Sequence, residues 1–386
     1  MSMAASRANS SSGALSTGGA TSSSGAGITP GAATTSGARS TAGATASSGA
    51  GRAAVANADD MPIDVVIAWV DGSDPKLAEK RNRHSGKTVV PVSSGAHPTR
   101  FASSNEIRYC VLSVLKFAPF VRNIFIVTDG QDPGISGDVS KYFPGRSGSI
   151  RIVDHTEIFE GYGDSLPTFN SISIANMIWR IRGLAESFVY FNDDTFLVRS
   201  ITPEEWFIDG RPVMRGRWVP AARPRVVLDR MRKWFNRNLA GRPDYQPRAS
   251  FHVGQWNAAA LLGFRFRYFT NSHTPHPVSR SLVENFFRKN DPLLRKNISY
   301  RFRDHSQFTF ISLSNHLQLV GGNRNIARPA VTYLKPENRG PGYIDKKITL
   351  CESDPEIIYM CAQSLDMVPE NERMKLFSWL DGILGI

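Results

Sequence analysis

Two adjacent carboxylates preceded by a neutral amide, Asn192-Asp193-Asp194, close the apolar run Phe188-Val189-Tyr190-Phe191. Paired carboxylates at a strand end suit Mg²⁺ or Mn²⁺, hard cations that take oxygen ligands and often share them with substrate phosphates. Asn192 could add a neutral oxygen or orient its neighbours. Taken alone, Asn-Asp-Asp also reads as a simple turn, because both residue types favour turns. Two further apolar runs tip the balance: residues 63–70 end on Asp71-Gly72, and residues 123–128 end on Asp129-Gly130. With these acids expected along one edge, the metal reading becomes the better one.

Other groups could join that chemistry. His273-Thr274-Pro275-His276 sets two imidazoles ahead of a helix expected over 273–287, with Arg280 one turn further on. Histidine titrates near neutral pH and can move a proton; the plainer reading is a helix start with incidental histidines. Arg301 and Arg303 could grip a phosphate through forked hydrogen bonds, although a solvated role is ordinary for any one arginine in so basic a region. The chain has no glycine-rich phosphate loop with Lys-Ser/Thr, no dinucleotide fingerprint after the first run and no Gly-x-Ser-x-Gly elbow. Nucleotide hydrolases, dehydrogenases and serine esterases are therefore not first choices.

The elements that must position these residues alternate along the chain. Residues 63–70, 123–128, 150–153 and 188–191 read as buried strands, and 73–99 as a loop-rich insertion. Ile107, Val111, Val114 and Leu115 recur at helical spacing up to Pro119, and a second helix is expected over 173–185. The alternation predicts an α/β fold, a mostly parallel Rossmann-like sheet with helices on both faces. Sites in such sheets lie at the carboxyl ends of the strands. Beyond 210 the pattern predicts a basic, helical part, with helices over 225–239, 306–319 and the last twenty residues. In the first of these, Val227, Met231, Trp234 and Phe235 share one side, and Arg230, Arg232, Lys233 and Arg237 lie elsewhere. Packing that apolar side against the protein is the ordinary reading; docking on an anionic membrane surface is the alternative.

The whole chain sets bounds on these readings. Of 386 residues, the first 58 are almost all Ser, Gly, Ala and Thr, too poor in apolar area to offset ordering entropy. They are expected to form a disordered tail before a catalytic domain over 59–386, with an α/β core at 62–210 and the basic part at 211–386 completing the site. The tail's three arginines, with no acid before Asp59, faintly resemble an organelle transit peptide; a plain tail is preferred. No run is apolar and long enough for a signal core or membrane span. Cys110, Cys351 and Cys361 lack metal-ligand spacing, so reduced thiols and a cytoplasmic setting are expected, with peripheral contact at the inner face of the membrane as the alternative. Between Arg211 and Arg303 stand 20 Lys/Arg against four acids. Such a field attracts polyanions without choosing among them.

Several segments resemble a known family. Ile63-Asp64-Val65-Val66 through Trp69-Val70-Asp71-Gly72-Ser73-Asp74 is similar to the first conserved block of the Stealth proteins. Asn105-Glu106-Ile107-Arg108-Tyr109, Ile126 through Gln131, Leu166-Pro167-Thr168-Phe169-Asn170-Ser171 and Tyr190 through Asp194 resemble the second. His273 through His276 with Arg280, then Phe302-Arg303, resemble the third, and residues 338–354 loosely resemble a fourth. Two positions depart from the pattern: Gln307 stands where the family usually has an acid, and Cys351-Glu352-Ser353-Asp354 replaces a cleaner acidic pair.

The resemblance implies an A-type-glycosyltransferase-like sheet and transfer of a sugar-1-phosphate from a nucleotide-sugar donor to a hydroxyl of a polysaccharide or glycan acceptor, releasing nucleoside monophosphate. It implies Asp193 and Asp194 as metal ligands, with Asp194, His273, Arg303 and Asp71 catalytic. Asp74, Arg108, Asp129, Asn192, His276 and Arg280 are implied near the substrates. Nucleic acid is not an expected partner. An ordinary A-type glycosyltransferase, releasing nucleoside diphosphate, is the second reading. A basic binding module comes third, since it leaves the strand-end aspartates unexplained.

Overall fold

Val65, Val66 and Ile67 have no exposed surface, as expected of a strand covered on both faces. The computed structural model describes residues 61–85, 105–243, 245–335, 340 and 342–386. The tail expected over 1–58, the part of the insertion from 86 to 99 and residues 338–339 of the fourth block lie outside the described residues. Residues 55–386 cluster as one unit.

Four parallel strands form its centre: β1 (Ile63–Ala68), β2 (Val121–Thr128), β3 (Ile150–Asp154) and β4 (Ser187–Asn192). A fifth, His276–Ser279, pairs antiparallel with β4, giving the order His276–Ser279, β4, β1, β2, β3. The sheet is α/β and mostly parallel, as the alternating pattern predicts. The chain builds outward from β1 through β2 to β3, then returns to place β4 on the other side of β1. That reversal leaves a crevice over the carboxyl ends of β1 and β4.

Alternate residues of β1 face two cores. Val65 and Ile67 pack with Ile107, Val111 and Phe196, while Val66 packs with Phe188, Ile178 and Phe287. At the start of the strand, fully buried Asp64 accepts a forked pair from Arg122 and backbone N–H bonds from Asn123 and Ala185. One carboxylate thus ties together the chain leading into β1, β2 and β4.

Some expected elements differ. The insertion begins with a helix, α1 (Pro75–Ser85), which has only one buried apolar residue, Leu77, and hence no apolar stripe to reveal it. Its start is nonetheless legible, with Asp74 capping and proline at the first position. Helix α2 (Glu106–Phe117) runs where the spacing predicts. The helix expected over 173–185 is only Ser171–Ala175 followed by a single turn at Ile178–Arg180. Asn176 donates its side-chain amide to the Ile172 carbonyl, competing with helical bonding. The helix expected from His273 starts at Arg280, because His276–Ser279 is a strand. Its Pro277 is tolerated there because the strand lies at the sheet edge. The part after residue 210 also supplies the strands Met214–Pro220, Arg267–Asn271, Val331–Leu334 and Tyr359–Ala362. Among the described residues no helix is long and apolar enough to cross a membrane.

Candidate active site

A cleft of about 670 Å³ opens over the carboxyl ends of β1, β2 and β4, walled among others by Glu106, Asp129, His155, Asp193, Asp194, His273 and Arg303. A second recess of about 360 Å³, beside Lys296 and Phe308, is lined by no carboxylate.

The strand-end aspartates prove to have different jobs. Asp71 braces its own turn by accepting from the backbone N–H and hydroxyl of Ser73. Asp74 caps α1, and Gln131 ties both turns together, accepting from the Asp71 N–H and donating to the Asp71 carbonyl and the Asp74 carboxylate. These bonds hold the Asp74 carboxyl below its ordinary value, that from Gln131 foremost. Asp129 lines the cleft but is paired through both oxygens, at 2.8 Å, with Lys80 of α1. Strand β3 also ends on an aspartate, Asp154, which is spent capping the next turn at Thr156.

Asp193 and Asp194 stand apart from these. Both side chains are partly open to the cleft yet held away from bulk water. Burial pushes the Asp193 carboxyl well above its ordinary value, with Asp194 and then Glu106 adding repulsion. Burial raises Asp194 to about 6, opposed by hydrogen bonds from Thr195 and Cys361. The loop is clamped from the C-terminal part, where Thr195–Leu197 pairs with Tyr359–Ala362 and the Ala362 N–H donates to the Asp194 carbonyl at 2.8 Å. Behind it lie the buried thiols of Cys110 and Cys361, which burial and the acid pair keep protonated.

A carboxylate pair that repels itself in a desolvated cleft fits a hard divalent ion. Among the described residues no group of three or more His, Cys, Asp or Glu forms a fuller metal cage. Two carboxylates, with water and phosphate oxygens completing the shell, is a usual arrangement for Mg²⁺.

His273 and Arg303 reach the same cleft. The His273 ring stacks on Phe251 at 4.9 Å, and its backbone N–H donates to the Tyr333 hydroxyl. Burial, then the charges of Lys335 and Arg303, lowers its pKa, so the ring is neutral and basic at neutral pH. Arg303 donates to the Ser171 hydroxyl. The segment carrying Ser171 is pinned to the arginine's own loop, since the Phe169 N–H donates to the Arg301 carbonyl and Asn170 donates to the Tyr300 carbonyl.

Five expected site residues lie outside the cleft lining: Asp71 and Asp74, held in the turns just described, and Arg108, His276 and Arg280. Arg108 turns from the cleft to pair with Asp138 and, at 3.4 Å, Asp381. His276 pairs with Tyr190 inside the sheet, where burial lowers its pKa to about 3. Arg280 lies beside Glu186, at the opposite end of β4 from the acids, roughly 16 Å away along the strand. Spacing joined His276 and Arg280 to the site because a helix was expected where the antiparallel strand runs, whereas Arg108 was implied by the resemblance alone.

Several cleft residues escaped the sequence reading, among them Arg248, Asp366, Glu106 and His155. Glu106 opens α2, and His155 follows β3 directly. His155 is 2% exposed, and neither ring nitrogen has a hydrogen-bond partner among the described residues. Burial lowers its pKa. The signal available was Asp154-His155 at the end of a run read as a buried strand; in the structure that strand is at the sheet edge and only its Val153 is buried.

The departures noted at Gln307 and 351–354 fall outside the cleft. Gln307 is 1% exposed; its carbonyl accepts from Asn170 and the Asp304 N–H, and its amide donates to the Asn297 carbonyl. A carboxylate could not make that last donation. Gln307→Glu should therefore cost about 2–3 kcal/mol in urea unfolding; an unchanged midpoint would contradict this network. The carbonyls of Cys351 and Asp354 anchor Arg199.

Residues 61–88 match the Stealth conserved region 1 and residues 100–213 the Stealth conserved region 2. A receptor polysaccharide phosphotransferase of Streptococcus oralis is 30% identical over 297 residues, spanning 73% of this chain and 85% of that protein. The chain belongs to the Stealth family. A capsular polysaccharide phosphotransferase of Streptococcus pneumoniae is 29% identical over the same shares. An exopolysaccharide phosphotransferase of Streptomyces coelicolor is 35% identical over 227 residues, 58% of this chain. This Stealth chain spans only about a fifth to two fifths of the three Streptomyces coelicolor relatives matched over 21%, 26% and 39% of their lengths. The galactosyltransferase LgtC, solved with donor and acceptor sugar analogues, aligns at a TM-score of 0.39 and 11% identity, over 83% of this chain and 95% of that one. So loose a likeness leaves the fold to be read from the sheet itself. The matched Stealth regions contain the acid pair; His273 and Arg303 lie beyond both, and the fold brings them in.

Proposed function

We propose that this chain transfers a hexose-1-phosphate, of the N-acetylhexosamine class, from a nucleoside-diphosphate sugar to a hydroxyl of a glycan acceptor in capsular or exopolysaccharide synthesis, on the cytoplasmic side of the membrane. The observation that carries it is the meeting of a carboxylate pair, a neutral imidazole and a guanidinium in one cleft. Relatives named polysaccharide phosphotransferases support the same reading.

The acceptor oxygen bonds to the sugar-bearing phosphorus, the phosphoanhydride bond to that phosphorus breaks, and nucleoside monophosphate leaves with the electron pair. Attack falls on a centre already carrying negative charge, so the protein's task is positioning and charge neutralisation. Arg303, steadied by Ser171, holds the transferring phosphoryl. His273, neutral and within the same walls, takes the acceptor's proton. Asp193 and Asp194 would hold Mg²⁺ or Mn²⁺, which when bound supplies the positive charge that eases departure of the nucleotide. His155 lines the same wall, its ring 4.0 Å from the Asp129 carboxylate.

The test is the nucleotide released. With UDP-N-acetylglucosamine or another nucleotide sugar, a glycan acceptor and Mn²⁺, chromatography should show nucleoside monophosphate rising in step with acceptor phosphodiester. Release of nucleoside diphosphate would instead establish glycosyl transfer.

A further inference from the structure

The helix Arg223–Asn238 is inverted relative to a packed surface helix. None of its residues is fully buried. Val227, Leu228, Met231, Trp234 and Phe235, with Leu239 just after, are 45–64% exposed. At the helical repeat these six fall within one arc of about 140°. The residues turned inward are instead mostly polar: Asp229, Lys233, Asn236 and Arg237 are part-buried, with Val226 the apolar exception. The ordinary expectation, that the apolar side packs on the protein, is therefore overturned.

The patch extends beyond the helix. The Ala221 N–H donates to the Phe266 carbonyl at the helix start, and Phe266 is 84% exposed between exposed Arg265 and Arg267. The arc's borders are basic, with Arg223 and Arg230 on one edge and Arg225 and Arg232 on the other. The helix has six basic residues and one acid. A large apolar patch with a charged rim marks an interaction surface.

We infer that this face docks on an anionic lipid bilayer, with Trp234, Phe235, Met231 and Phe266 entering the interface and the arginines meeting the lipid phosphates. Charge decides against the other occupants. A second copy would set the same arginine rim against itself across a two-fold contact. The two long segments of this chain outside the described residues have a net positive charge: 86–104 contains Lys87 and Arg100 and no acid, and 1–60 contains three arginines against Asp59 and Asp60. The inward side of the helix, through Asp229 and Lys233, acts electrostatically on His305, two residues from Arg303.

The test needs neither donor nor acceptor, so it stands apart from the transfer reaction. The full chain is sedimented with phosphatidylcholine–phosphatidylglycerol vesicles and with phosphatidylcholine vesicles, beside a Met231→Ser, Trp234→Ser, Phe235→Ser variant. The wild type should favour the anionic vesicles by about tenfold or more, less so at high salt. The variant should lose about tenfold or more of that partition at an unchanged melting temperature. Equal partition of both proteins, or none by the wild type, overturns the inference. So does a dimer that the variant dissolves, which would assign the face to a second copy. A melting temperature lowered by several degrees in the variant overturns it too, because the face would then be covered by this chain itself.

Discussion

Asp193→Asn and Asp194→Asn should each stabilise the metal-free chain while abolishing transfer. The two carboxyls are desolvated, and Asp193 is further raised by repulsion from Asp194 and Glu106. An amide of the same shape removes one charge from that cluster, so each variant should gain about 1–2 kcal/mol, a rise of a few degrees in melting temperature. Activity should fall about a thousandfold or more, because the oxygens expected to hold the divalent ion are lost. The pH dependence has a definite sign. Both folded-state values lie above the unfolded one, so the folded chain keeps protons that the unfolded chain has released. This contribution is fully present below about 4 and is lost as pH rises through the Asp194 value of about 6. Metal-free wild type should weaken across that window in calorimetry, and the asparagine variants should weaken less. Variants that melt lower than wild type would show instead that the acids stabilise the fold.

His273→Ala should lower transfer by about 10²–10⁴-fold, the usual worth of a positioned base, with donor affinity by calorimetry nearly unchanged. The rate should fall on the acid side as the imidazole gains its proton. That limb should lie below the ordinary histidine value, because burial, Lys335 and Arg303 all disfavour the charged ring. Lys335→Met removes one of those charges and should move the acid limb upward, toward the ordinary value. A ring with a merely structural role would leave the limb in place. Loss of donor binding in His273→Ala would contradict its role as the acceptor's base.

The parallel sheet was legible because β1, β2 and β4 are apolar runs that close on acidic turns. The acid pair was legible for the same reason. What misled was the equivalence assumed among the acids: a carboxylate at a strand end may equally brace a turn, as Asp71 does, cap a helix, as Asp154 does, or pair with a lysine, as Asp129 does. Those partners lie one or two residues away, or on a helix with a single buried apolar residue. The edge strand was hidden because His276–Ser279 has only four residues and contains a proline. With it went the distinction between His273, which enters the cleft, and His276 and Arg280, which do not. The outward-facing apolar arc of Arg223–Asn238 was visible as periodicity, but periodicity does not say which side is in.

That antiparallel edge strand also determines how divisible the protein is. Because it runs against β4, the residue just before it arrives where β4 ends, and the residue just after it departs where β4 begins. The acids, the imidazole and the guanidinium thus come from three stretches of chain, at 193–194, 273 and 303, with Tyr359–Ala362 still later fastening the acid loop. A chain under synthesis possesses its carboxylate pair long before the imidazole, the guanidinium and the strand Tyr359–Ala362 that complete the cleft.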